Sequence, residues 1–129
     1  MKYDLIYTDD LPEGTGGRCQ YPWFPLYGTC VITIKNKYRQ DLGILNHELV
    51  HCKQYNSNIL HALLTKFCKA YRYQIELDAY TEQIKAYNYT NILEASWIIN
   101  ALCNKYNLDV PRDKVMADVE ELIEKTKKG

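Results

Sequence analysis

Two hydrophobic rhythms divide the chain near residue 39. Before it, apolar side chains alternate or cluster between breakers; after it, they recur every three to four positions. Tyr3 to Thr8 (Y-D-L-I-Y-T) predicts a short strand. Asp9 to Arg18, with Pro12, Gly14, Gly16 and Gly17, predicts a loop. Tyr21 to Tyr27 (Y-P-W-F-P-L-Y) is aromatic, but Pro22 and Pro25 cannot donate to a ladder, so an irregular or edge segment is expected. The best strand pattern is Thr29 to Lys35 (T-C-V-I-T-I-K). It is β-branched, with Cys30, Ile32 and Ile34 on one face and Val31, Thr33 and Lys35 on the other.

The remainder predicts helices. Leu42, Leu45, Leu49 and Cys52 mark the buried stripe of a first helix. A second is expected over roughly Asn58 to Lys69 and a third over Tyr71 to Tyr87. A fourth is expected to open at Asn91, where Glu94 three residues on completes a capping box, and to carry Ile98, Ile99 and Leu102. The last has Pro111 near its start and Val115, Val119, Leu122 and Ile123 on one stripe. No internal repeat or linker interrupts this order. The expectation is a single α+β domain over residues 1–129: a small N-terminal sheet, then a helical body.

Composition narrows the function classes. With 16 Lys+Arg against 16 Asp+Glu, the chain has no basic excess for gripping phosphates, so nucleic acid is not an expected partner. No apolar run is long enough for a membrane span, and the polar N-terminus does not look like a signal peptide, so a cytoplasmic protein is expected. The five cysteines contain no C-x-x-C pair, which argues against a Cys₄ zinc site, and most read as small buried hydrophobes. Cys19 is set apart by its place in the loop Gly16-Gly17-Arg18-Cys19-Gln20.

The chemistry lies in His47-Glu48-Leu49-Val50-His51, an H-E-x-x-H on the first predicted helix. Residues four apart share a helix face, so both imidazoles can reach one Zn²⁺, while Leu49 belongs to the opposite, buried stripe. Zinc lowers the pKa of a bound water toward about 7, and Glu48 is placed to take its proton as general base. A third protein ligand is needed. The extension H-x-x-G-x-x-H fails, since those slots hold Gln54 and Ser57. His61 is the one other histidine, and it falls among Leu60, Leu63 and Leu64. Glu76 is the best candidate, because Ala79 one turn on lets its helix pack closely; Asp78 and Glu82 are rivals.

H-E-L-V-H-x-x-Q-Y, a hydrophobic helix and then E-x-x-A-Y together resemble the gluzincin branch of zinc metallopeptidases. The resemblance is closest to the short single-domain minigluzincins and the small metallopeptidases of bacterial and phage genomes, and covers about Cys30 to Tyr87. It implies His47, His51 and Glu76 as zinc ligands and Glu48 as general base, acting on a protein or peptide substrate. It also implies that Thr29 to Lys35 is an edge strand that pairs with extended substrate.

Two departures are visible. Where larger gluzincins carry an Asp bonded to the first zinc histidine, this chain has Tyr80, so His47 must be oriented by a backbone carbonyl or the Tyr80 hydroxyl. No separate domain supplies an oxyanion donor, leaving Tyr55, Tyr73 and Tyr80 as candidates. The Cys19 loop resembles the pro-segment cysteine that caps zinc in latent matrix metalloproteases, which raises Cys19 as a latch. The aromatic stretch from Tyr21 to Tyr27 either walls a specificity pocket or covers the sheet. The expectation is a zinc metallopeptidase. The alternative is a non-catalytic, zinc-stabilised accessory or peptide-binding protein, with a DNA-binding regulator a distant third.

Overall fold

The computed structural model describes residues 3–22 and 29–128. Three strands, β1 (Tyr3–Thr8), β2 (Gly17–Gln20) and β3 (Cys30–Lys35), form a sheet ordered β1-β3-β2. Strand β1 runs parallel to β3 and β2 antiparallel to it. A 3₁₀ turn (Asn36–Tyr38) leads to five helices: α1 (Leu42–Ser57), α2 (His61–Phe67), α3 (Lys69–Tyr87), α4 (Ser96–Asn104) and α5 (Arg112–Lys128). The fold is α+β.

The β-branched run Cys30–Lys35 is a strand, as its pattern predicts, but it is central and not an edge. Both of its sides are hydrogen-bonded, and Cys30, Ile32, Thr33 and Ile34 are buried. The edge beside α1 is β2, in a segment whose glycines predict a loop. Those glycines permit close approach instead. A Cβ on Gly17 would lie 2.9 Å from Ile44 Cγ2 of α1 and 3.3 Å from the Thr33 carbonyl oxygen.

Helix α1 is buried on two faces. Leu45, Leu49, Cys52 and Tyr55 pack with Cys30, Ile32 and Ile34 of the sheet, while Leu42 at the first turn is exposed. The opposite face lies against α3, so its polar residues are buried as well. Small residues set that approach. Ala79 is fully buried, and a Cβ on Gly43 would lie 2.4 Å from Tyr87 Cε1. The start of α1 is anchored by Asp41, whose carboxylate accepts from the Ile44 amide and the Tyr87 hydroxyl.

A second core joins α3, α4 and α5 through Tyr73, Leu77, Ile84, Ile98, Ile99, Leu102, Val115, Val119 and Ile123. Three predicted boundaries move. Helix α2 is shorter than expected, α3 begins at Lys69, and α4 opens at Ser96 and not at Asn91. Only half of the Asn91–Glu94 box forms: Asn91 Oδ1 accepts from the Glu94 amide, but the Glu94 carboxylate accepts from the Thr90 amide in place of that of Asn91, and the turn lies ahead of the helix. Among the described residues, no helix is long and apolar enough to cross a membrane.

Candidate metal centre

Between the two cores, α1 and α3 bring three donor atoms together. His47 and His51, one turn apart on α1, direct Nε2 at the same oxygen of Glu76: the distances to Oε1 are 3.3 Å and 3.2 Å. All three ligand atoms lie within 4.8 Å of one another. A tetrahedral ion with bonds of about 2.0 Å separates its ligand atoms by about 3.3 Å, so the donor set fits one. His47, His51 and Glu76 can therefore hold a metal ion, and three donors on a tetrahedral ion leave one coordination position open.

The charges are arranged for a cation. Burial by itself would raise the Glu76 carboxyl, but hydrogen bonds from His47 and His51 outweigh it and hold the group down at about 2. Burial likewise disfavours a charged His51 ring, yet Glu76, Glu48 and Gln54 prevail and push it up to about 9. A buried carboxylate facing two ring nitrogens offers a divalent ion the negative partner it needs.

Glu48 is buried next to this group, and its Cγ lies 3.5 Å from where a Gly17 Cβ would sit, so the side chain runs under β2. Burial raises its carboxyl above the ordinary range against the pull of both imidazoles. A cavity of about 620 Å³ opens over His47, Glu48, His51 and Glu76, between β2 and an aromatic wall that includes Tyr80, Trp97 and Tyr106.

The supports of the two rings differ. His51 Nδ1 lies 2.9 Å from Gln54 Oε1, and Gln54 Nε2 donates to the Ile75 carbonyl at 3.1 Å. His47 Nδ1 is buried with no hydrogen-bond partner among the described residues; its ring packs edge-on against Tyr80, with centroids 4.4 Å apart. Neither support expected for His47 is present, because the Tyr80 hydroxyl is engaged with that of Tyr106 at 2.6 Å.

The other candidates lie elsewhere. His61 is buried among Tyr21, Tyr55 and Tyr71, its Nδ1 2.6 Å from the Tyr71 hydroxyl. Asp78 is exposed and accepts from Gln74, and Glu82 pairs with Lys85. Tyr55 donates to the Pro22 carbonyl and Tyr73 to Asp118, which leaves Tyr80 as the one predicted tyrosine lining the cavity.

Cys19 is not on a swinging loop. It is paired in β2 opposite Ile32, and it is not among the clustered ligands. Burial, followed by Cys30 and Glu48, pushes its thiol well above the ordinary value, against the thiolate a latch needs. Tyr21 stacks on Tyr55 over the sheet core; residues 23–27 of the aromatic stretch lie outside the described residues.

Two residues at the site have no role assigned from the sequence, although Gln54 stands in the H-E-L-V-H-x-x-Q-Y motif. Gln54 stands three positions after His51, a spacing that places it beside that ring on a helix. Tyr106 follows α4 and meets Tyr80 only through the tertiary fold, so no local pattern marks it. The chain matches no known family model, no curated protein and no solved structure.

Proposed function

We propose that this chain is a zinc-dependent peptidase. One conjunction supports the reading: two imidazoles and a carboxylate converge at ligand spacing, with the buried Glu48 beside them and an open cavity above. Zinc bound there would polarise a peptide carbonyl and lower the pKa of the attacking water to about 7.

The chain's own groups divide the remaining work. Glu48 takes the water's proton and returns it to the leaving amine; a carboxyl raised by burial is the better acceptor. The Tyr80–Tyr106 hydroxyl pair, held protonated by burial, donates to the oxygen that gains charge. The outer edge of β2 offers main-chain groups to an extended peptide, the role the resemblance gave to Thr29 to Lys35. The substrate is then a flexible protein segment or peptide. The reading places the protein in a cytoplasm, where thiols such as Cys19 and Cys103 stay reduced.

Metal analysis together with Glu48→Gln tests this. The variant is expected to keep stoichiometric zinc and to lose about 10²–10⁴-fold in cleavage of a peptide library. Bound zinc with equal activity in both proteins, or with none in either, favours the non-catalytic, zinc-stabilised alternative. A protein that takes up no zinc refutes both.

A further inference from the structure

We infer that Gln54 is a positioning residue of the metal centre: its single amide fixes the His51 ring and ties it to the backbone beside Glu76. The inference rests on the metal reading of the site and is independent of peptide hydrolysis.

The amide has one assignment that satisfies both neighbours. Its NH₂ faces the Ile75 carbonyl, which can only accept, at 3.1 Å. Its oxygen therefore faces His51 Nδ1 at 2.9 Å, and that nitrogen must carry the hydrogen. With no ion bound, Nε2 donates to Glu76 Oε1, 3.2 Å away; because Nδ1 keeps its hydrogen for Gln54, Nε2 is the nitrogen that gives up its hydrogen to ligate a metal. One side chain thus selects the tautomer that can ligate and holds the ring in the ligating direction. Ile75 immediately precedes Glu76, so the same amide also fixes the spacing between a ligand on α1 and a ligand on α3. A hydrogen bond of this kind to the far nitrogen of a ligating histidine tunes metal affinity by about 10–100-fold.

Two substitutions separate positioning from mere helix pairing. Gln54→Glu retains an acceptor for Nδ1–H but cannot donate to Ile75, whereas Gln54→Met loses both bonds. Zinc affinity, read by competition with a chromophoric chelator, is expected to fall about 10–100-fold in Gln54→Met and to recover most of that loss in Gln54→Glu. If Gln54 were only a structural tie, the two variants would behave alike. Equal affinity in Gln54→Met and wild type, or an equal loss in both variants, overturns the inference.

Nitrogen-15 NMR of the zinc-loaded wild type carries the decision should Gln54→Met not fold. His51 with hydrogen on Nδ1 and metal on Nε2 is the expected result, and the reverse arrangement overturns it. A wild-type protein that binds no zinc overturns the metal reading and the role of Gln54 together. Binding without any peptidase activity leaves Gln54 in place and refutes the proposed reaction alone.

Discussion

His47 and His51 leave the same helix one turn apart and reach the same carboxylate oxygen, yet they are held by different physics. Beyond its ligating nitrogen, His51 meets a directional bond from Gln54, which is itself anchored to α3. His47 meets none among the described residues and is kept in place by the Tyr80 ring and the close packing of α1 on α3. Hydrogen bonding fixes angle and tautomer, whereas packing fixes position and leaves the tautomer open. The centre therefore has one arm selected by chemistry and one by shape, joined at Glu76.

The largest effect comes from removing the joint. Glu76→Ala deprives both arms of their common partner and leaves two histidines without a third ligand. Zinc affinity should fall by more than the roughly 100-fold that a lost outer contact costs. Calorimetric titration decides: a variant within tenfold of wild type would mean that the histidines recruit some other ligand, and the two arms would no longer be coupled through α3.

The comparison also explains what could be read without the fold. The pair His47 and His51 and the neighbouring Glu48 were legible because a helix repeats its own face every four residues. Glu76 was legible through the small Ala79, which implies close helix packing, and it proved to be the partner of both rings. The order of the strands was not. A glycine-rich run reads as a breaker, and only the contact of Gly17 with Ile44 reveals that its glycines serve an edge strand pressed on α1. The support of His47 was illegible for a related reason. The Tyr80 hydroxyl was a natural partner in one dimension, but the tertiary fold brings Tyr106 to it first.

A pair of substitutions at Tyr80 sharpens the contrast at intermediate size. Tyr80→Phe keeps the ring against His47 and loses the hydroxyl with its bond to Tyr106, so zinc affinity should stay near wild type while stability drops by about 1 kcal/mol. Tyr80→Leu removes the ring face, and affinity should fall about tenfold, the low end for an outer contact. If Phe proves as damaging as Leu, the hydroxyl network orients His47 after all, and the division between chemistry and shape fails.

His61 supplies the smallest effect and an internal control, because it shares burial with the pair but the Glu76 carboxylate only partly offsets that burial. Burial, with a smaller push from the charge on His51, lowers its ring from the ordinary 6.5 to about 4. The folded protein thus refuses a proton that the unfolded chain accepts below about pH 6.5. Stability from this residue is present above pH 6.5 and is lost as pH falls toward 4, by at most about 1.4 kcal/mol per pH unit, the slope of one proton. Carboxylates contribute their own acid dependence, so the informative quantity is the difference between wild type and His61→Gln in metal-free protein. Urea unfolding from pH 7 to pH 4 should show wild type losing stability faster than the variant through that window. Parallel curves would mean that the ring reaches solvent or a proton acceptor in the folded state. Burial alone would then not separate this histidine from the two that face Glu76.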